Sequence, residues 1–483
     1  MRLSSLFVVA PFCLSLAFAA DRSAAQDKGA TPTAAAIGAT ETELNKELTA
    51  LDHYVHTPDP SYEWKLVHKD ENFAGTYYVI DLTSQTWLKP DEVDRPKWQH
   101  WLCIFKPKGV QANTAMMFIG GGSNGREIPK SVDAQVAGIA TISNSVVAEL
   151  KQVPNQPLIF HNDGVPRKED DLIGYTWDQY IKTGDSRWPA RLPMVKSVVR
   201  AMDTVQAFLS SEDGGKHPID KFVVAGGSKR GWTTWMTAAV DKRVVAIAPI
   251  VIDVLNMDVS MRHHFANYGF WAPAIDDYVN HRIMQRRDSE RYKELLQIED
   301  PFAYRDRFTM PKCIINATGD QFFCPDSSQF YFDRLPGEKN LCYVPNADHS
   351  LRESNALESL IAFHYSIVHN VPRPQFSWTH ADDGSIEVKC DTEPKAVRLW
   401  QANNKESRDF RVDTIGNSFK STDLTKGDDG VYRAKIDIPA EGWVAAFVQC
   451  EFNLGTPLPL RLTTDVSVLP EHRPFIDKPI PKE

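Results

Sequence analysis

The chain has 483 residues, of which 42% are hydrophobic, 24% charged and 10% aromatic, a globular composition long enough to bury a core. Intrinsic disorder and a fibrous repeat are excluded, and the length alone allows two to three domains. A formal net charge of −9 gives no general electrostatic reason to bind nucleic acid or an anionic membrane.

In chain order, Met1-Arg2 precedes an apolar run from Leu3 to Ala20 that closes on the small-x-small triplet Ala17-Phe18-Ala19. This predicts a signal peptide over residues 1–20 and an exported protein, periplasmic or secreted. Ser4, Ser5, Pro11 and Ser15 interrupt the run, which favours cleavage over a lasting anchor. No later segment offers about 20 consecutive apolar residues, so no integral membrane association is expected after cleavage. Residues 21–40 are rich in Ala, Thr, Ser and Asp without helical periodicity, and the disordered leader they imply runs to about 44.

Three strand-like runs follow, Gly75 to Leu82, Trp98 to Lys106 and Thr114 to Ile119. Helices and strands then alternate: a short helix near 131–143, a strand at Ser145–Val153, a helix at Ala190–Leu209, a strand at Phe222–Ala225, a helix at Gly231–Ala239 and a strand at Val244–Ile250. A strand at Cys313–Ala317, a helix near Ser327–Leu335, a strand at Asn340–Val344 and a helix from about Ser350 to Val368 complete the series. Such alternation predicts an α/β fold, a mostly parallel sheet with helices on both faces, over residues 45–372. Two stretches dense in Trp, Tyr, His, Arg and Asp, at about 154–189 and 254–309, interrupt it as cap or lid insertions. From 373 to 472 short alternating strands separated by Asp-Asp-Gly turns at 382–384 and 428–430 predict a small all-β sandwich domain.

Cys13 falls in the signal segment and six cysteines remain. Six allow 15 complete pairings; Cys390 and Cys450, in the same late region, are one candidate pair. There is no CxxC and no His-rich zinc spacing, so a metal site built on thiolates is not expected, and the serine chemistry read below needs no cofactor. Adjacent His263 and His264 do not face one another on a helix or strand, which argues against a shared metal.

Chemistry concentrates in Lys221-Phe222-Val223-Val224-Ala225-Gly226-Gly227-Ser228-Lys229-Arg230-Gly231-Trp232. An apolar strand enters a glycine pair, a serine and a helix, the layout of a nucleophile elbow. G-x-S-x-G asks for glycine at position 230, where this chain has Arg230 and places Gly231 one residue later, so the match is degenerate. In this architecture the serine is followed by an acid and then a histidine, each at the end of a later strand. Thr318-Gly319-Asp320 follows one apolar strand and Pro345-Asn346-Ala347-Asp348-His349 another. Ser228, Asp320 and His349 are therefore the expected catalytic set, with Asp326 as the rival acid.

Gly120-Gly121-Gly122-Ser123-Asn124-Gly125 follows the third strand, where such folds place an oxyanion donor. The expected donors are the N–H of Gly121 or Gly122 and that of Lys229. In the first insertion Glu169, Asp170, Asp171 and Trp177 are candidates for lining a substrate pocket.

Read together, Leu82-Thr83-Ser84-Gln85-Thr86-Trp87, Trp98-Gln99-His100-Trp101, the Gly120–Gly125 loop, Val153-Pro154-Asn155-Gln156-Pro157-Leu158, Trp188 to Lys196, Ser228 to Trp235, Ala317 to Phe323 and Pro345 to Leu351 resemble the PhoPQ-activated pathogenicity-related family, which includes autocrine proliferation repressor-like proteins. The resemblance spans roughly residues 45–470 and implies an exported α/β-hydrolase-like protein without naming a substrate. The Gly-x-Ser-x-x-Gly order also looks like that of glucuronoyl esterases, in which an Arg after the serine assists the oxyanion; Lys229 stands there without the guanidinium fork.

The resulting expectation is a serine hydrolase acting on a small-molecule ester. One alternative is a serine peptidase in which Glu169, Asp170 or Asp171 binds a substrate ammonium. The other is a non-catalytic binding or signalling protein that meets a protein partner through its C-terminal β domain.

Overall fold

In the computed structural model, the described residues are 48–381 and 383–482. The expected signal peptide and leader lie outside them. Thr49 onward packs as one compact unit. Helix α1 (Ala50–His56), closed by a Thr49–Asp52 capping box, leads into the antiparallel strands β1 (Glu63–Glu71), β2 (Gly75–Thr86) and β3 (Lys97–Pro107). After β4 (Thr114–Ile119) the expected alternation appears: α2 (Ala134–Ser143), β5 (Val147–Leu150), α3 (Glu169–Thr183), α4 (Arg191–Ser210), β6 (Lys221–Gly227), α5 (Lys229–Val240) and β7 (Val244–Ile250). The second insertion supplies α6 (Met257–Tyr268), α7 (Asp276–Asn280) and α8 (Glu290–Glu299) before β8 (Lys312–Ala317), β9 (Lys339–Val344) and α9 (Ala356–Val368).

Strands β5, β4, β6, β7, β8 and β9 lie side by side in parallel, and β3 joins β5 antiparallel. They read as near-continuous apolar runs because both faces are covered. Alternation along each strand sends Val224 and Ile314 into one core with α4, and Val223 and Ile315 into the other with α2 and α9. This is the α/β-hydrolase-type sheet expected from the sequence.

The C-terminal segment is all-β apart from α10 (Val412–Ile415). Its strands are β10 (Phe376–His380), β11 (Ile386–Cys390), β12 (Ala396–Asn404), β13 (Lys420–Asp423), β14 (Val431–Ala434), β15 (Trp443–Phe452), β16 (Leu460–Thr463) and β17 (Ser467–Leu469). Among the described residues β10, β11 and β14 form a small sheet of their own, whose Ile386, Val388, Tyr432 and Ala434 pack on Val444, Ala446 and Val448 of β15. Strand β16 pairs with β9, so β16, β15, β12 and β13 extend the main sheet. The six described cysteines are free thiols, and the Cys390 and Cys450 sulfurs lie 4.0 Å apart where the small sheet meets β15.

The segment expected to be helical at Ser327–Leu335 forms two short 3-10 turns, Ser327–Phe330 and Phe332–Arg334. Pro336 holds Leu335 extended at φ −83° and ψ 131°, and Tyr331 at φ −142° breaks the run between the two turns. The Tyr331 hydroxyl is spent on Asp253 at 2.6 Å.

Strand β6 and helix α5 cross at two glycines. A Cβ on Gly231 would lie 2.8 Å from the Ile250 carbonyl oxygen and 2.9 Å from that of Gly226, and one on Gly226 would lie 2.8 Å from that of Arg230. These are backbone atoms that cannot swing aside. Gly231→Ala is therefore expected to cost about 1–3 kcal/mol of stability, measured by urea denaturation. A midpoint equal to that of the parent would contradict the close crossing.

Candidate active site

Ser228 joins β6 to α5 with φ 57° and ψ −127°. For a residue with a Cβ this is a sparsely populated region costing about 1–3 kcal/mol, held here by the Ser228 N–H bond to the Ile250 carbonyl at 2.8 Å. Because the close contacts fall on Gly226 and Gly231, position 230 needs no glycine. The degenerate sequence match thus has the backbone shape of an elbow, with the spacing Gly-x-Ser-x-x-Gly.

His349 follows β9, and its Nε2 stands 2.9 Å from Ser228 Oγ. Its Nδ1 lies 2.8 and 3.0 Å from the two carboxylate oxygens of Asp320, which follows β8 and is buried. The Phe322 N–H bonds Asp320 at 2.8 Å, and the Phe322 ring lies over the imidazole at 4.3 Å. Asp326 goes elsewhere, to His263 at 2.9 Å and Arg408 at 2.7 Å. Burial opposes its ionisation, but those two partners outweigh burial and hold its carboxyl well below the usual range. The sequence-expected set of Ser228, His349 and Asp320 is therefore one hydrogen-bonded chain that excludes Asp326.

The C-terminal segment holds the two loops that carry Asp320 and His349. The Val412 N–H donates to the Gly319 carbonyl at 3.0 Å, and the Asn346 side chain exchanges bonds with the backbone of Phe419 at 2.9 and 3.0 Å.

The glycine-rich loop after β4 is fastened by its carbonyls. Gln152 N–H donates to Gly121, Val153 N–H to Gly120, and Gln156 Nε2 to Gly122, at 2.8 to 3.1 Å. Gly122 has φ 134°, which favours glycine. Among the described residues the N–H groups of Gly121 and Gly122 meet no acceptor, and Lys229, first in α5, has no intrahelical acceptor for its own.

Arg230 supports this loop. Its guanidinium packs where a Cβ on Gly121 would sit, 2.8 Å away, and makes two bonds to Glu169 at 2.7 and 2.8 Å. Glu169 also meets Lys229 Nζ at 2.8 Å and Gln156 Nε2 at 2.6 Å. Burial opposes ionisation of Glu169, yet Arg230 and Lys229 hold its carboxyl far below the ordinary glutamate range. Asp170 is taken by Lys229 at 3.0 Å and by the Tyr278 hydroxyl at 2.9 Å, and Asp171 by His281 at 2.7 Å. All three carboxylates, read in the sequence as pocket groups, are thus engaged in internal bonds. Sequence reasoning missed the supporting role of Arg230 and Gln156, for which the off-pattern arginine was the one available signal.

Two spaces meet at Ser228. A cavity of about 40 Å³ is walled by Trp177, Trp232, Met257, Met261, Met284 and Tyr278 among others, with Lys229, Asp170 and Arg191 also in its lining. A groove of about 340 Å³ is bordered by His349, Ser350, Asp133, Glu149 and Leu351 and shares only Ser228 with the cavity. Clefts of about 640 and 830 Å³ at the C-terminal strands touch neither Ser228 nor His349. Most of the cavity's apolar wall comes from the second insertion, where the sequence reading named no site residue.

For a metal, His263, Cys324 and Asp326 bring one ligand atom each within 4.8 Å, but Arg408 already neutralises Asp326. His264 turns away to accept the Ala272 N–H at 3.1 Å. Among the described residues no helix is long and apolar enough to cross a membrane.

Sheet order and elbow define an α/β-hydrolase-type protein. More narrowly, the chain belongs to the PhoPQ-activated pathogenicity-related protein family, whose model matches residues 51–411. It is 40% identical over 459 residues to autocrine proliferation repressor protein A of Dictyostelium discoideum, covering 88% of this chain and 92% of that one. Among solved structures it is similar to acetyl xylan esterase 1 of Thermoanaerobacterium sp. JW/SL YS485, at 16% identity and TM-score 0.43 over 64% of this chain and 87% of that one. It is also similar to a glucuronoyl esterase from Solibacter usitatus, at 12% identity and TM-score 0.37 over 65% and 90%.

The depressed Glu169 carboxyl sets a pH dependence. A carboxylate favoured in the folded state adds stability above its unfolded pKa, near 4.5, and that stability is lost as pH falls toward the lower folded value. Glu169→Gln should be less stable than the parent at neutral pH, with the gap closing as acid is added below about pH 4.5. Denaturation midpoints that run parallel from neutral to acid pH would contradict the network.

Proposed function

We propose that the protein is an exported serine hydrolase that cleaves esters through an acyl-enzyme. The observation that carries this reading is the hydrogen-bonded chain from Ser228 Oγ through His349 to Asp320 at 2.9 and 2.8 Å. Ser228 Oγ attacks the acyl carbon while His349 Nε2 takes its proton, and Asp320 orients the imidazole and stabilises its charged form. The oxyanion is received by the unengaged N–H groups of Gly121 or Gly122 and Lys229. Export rests on the apolar run Leu3–Ala20 with its Ala17-Phe18-Ala19 end.

The ester reading is preferred to the peptidase reading because Glu169, Asp170 and Asp171, the groups that would bind a substrate ammonium, are already paired with Lys229, Arg230 and His281. A second reading, a secreted signalling protein on a hydrolase scaffold, is favoured by one fact, the name of the relative that is 40% identical, a repressor of proliferation.

A fluorophosphonate separates the two. The parent is expected to be labelled on Ser228, Ser228→Ala not at all, and His349→Ala at least about 100-fold more slowly, the scale of a lost general base. A folded parent that stays unlabelled would favour the signalling reading.

A further inference from the structure

The two spaces that meet at Ser228 are unequal, and His349 borders only one of them. The imidazole protonated during attack must return its proton to the leaving oxygen as the tetrahedral adduct collapses, so that oxygen has to lie within reach of Nε2. The leaving alcohol therefore belongs in the groove of about 340 Å³, which His349 borders. The substituent on the acyl carbon is left the cavity of about 40 Å³, which His349 does not touch. A dry cavity of about 150 Å³ is what benzene needs, so on the order of 40 Å³ takes one or two carbons. Its rear wall has little freedom to retreat. The Trp177 and Trp232 rings meet edge to face at 6.1 Å, and Arg191 lies 3.9 Å over Trp232 while paired with buried Glu299 at 2.9 Å.

Resting on the hydrolase reading above, we propose that the protein is a short-chain deacylase, taking acetyl or propionyl esters of larger alcohols, with acyl length limited by the cavity under Ser228. In the first half-reaction the ester C–O bond breaks as the Ser228 Oγ–C bond forms, and the alcohol leaves with the proton held on His349. In the second, water entering by the same groove gives up a proton to His349 and releases the short carboxylic acid, and Ser228 recovers its proton.

The test is kcat/KM for p-nitrophenyl acetate, propionate, butyrate and octanoate, run on the mature protein beside fluorophosphonate labelling. Acetate or propionate should exceed octanoate at least tenfold. Met284→Ala and Met261→Ala, which open the cavity from its flexible side, should move the preference toward butyrate several-fold. A labelled parent that turns over octanoate as fast as acetate would overturn the length limit and leave the hydrolase reading standing. A parent neither labelled nor active on any ester would overturn the hydrolase reading, and this proposal with it. Should a methionine variant fail to fold, the parent series alone decides.

Discussion

Everything at the site depends on how closely β6 can approach α5. Gly226 and Gly231 let strand and helix cross with carbonyl oxygens inside 3 Å of where a Cβ would be. The turn between them is so tight that Ser228 is driven to φ 57°. The strained residue projects its hydroxyl from the carboxyl end of β6, between β4 and β7, and the same turn leaves the Lys229 N–H unengaged at the start of the helix. Strain of about 1–3 kcal/mol is a large fraction of an ordinary folding stability. It persists because β6 is held between the parallel strands β4 and β7 and the Ser228 N–H is bonded to the Ile250 carbonyl at the end of β7.

The second constraint is ionic. Arg230, the residue that breaks the expected elbow pattern, reaches Glu169 and packs under Gly121. Glu169 in turn gathers Lys229 and Gln156, and Gln156 holds the Gly122 carbonyl. One carboxylate thus links elbow, glycine loop and first insertion. The charge run around residue 169, which in a sequence resembles either a solvated face or a ligand site, is half-buried and paired within the chain, and through Glu169 it supports the glycine-rich loop.

Much of this was legible in the sequence. Near-continuous apolar strands alternating with helices gave away the parallel sheet, and the order Ser228, Asp320, His349 selected the residues that the structure brings into hydrogen-bond contact. Asp320 could be preferred to Asp326 from its place directly after a strand, but that Asp326 is spent on His263 and Arg408 needs contacts 63 and 82 residues apart. The helix expected at Ser327–Leu335 gives way to two 3-10 turns because the backbone breaks at Tyr331, whose hydroxyl bonds Asp253, and again at Leu335 before Pro336. The β character of the C-terminal segment was readable from alternation. Its hold on the Asp320 and His349 loops, through Val412 and Phe419, was not, since those bonds join positions about 73 to 93 residues apart. Nor could the cavity wall be read, because Met257, Met261 and Met284 meet Trp177 and Trp232 only once the insertions fold over the sheet.

The most direct test of the account is a crystal structure of the protein phosphonylated by a small organophosphonate. The account predicts an adduct on Ser228 Oγ whose phosphoryl oxygen lies within about 3.1 Å of the N–H of Lys229 and of Gly121 or Gly122, with its alkoxy group on the His349 side. An adduct on another residue, or a phosphoryl oxygen turned to solvent with those N–H groups unengaged, would contradict it.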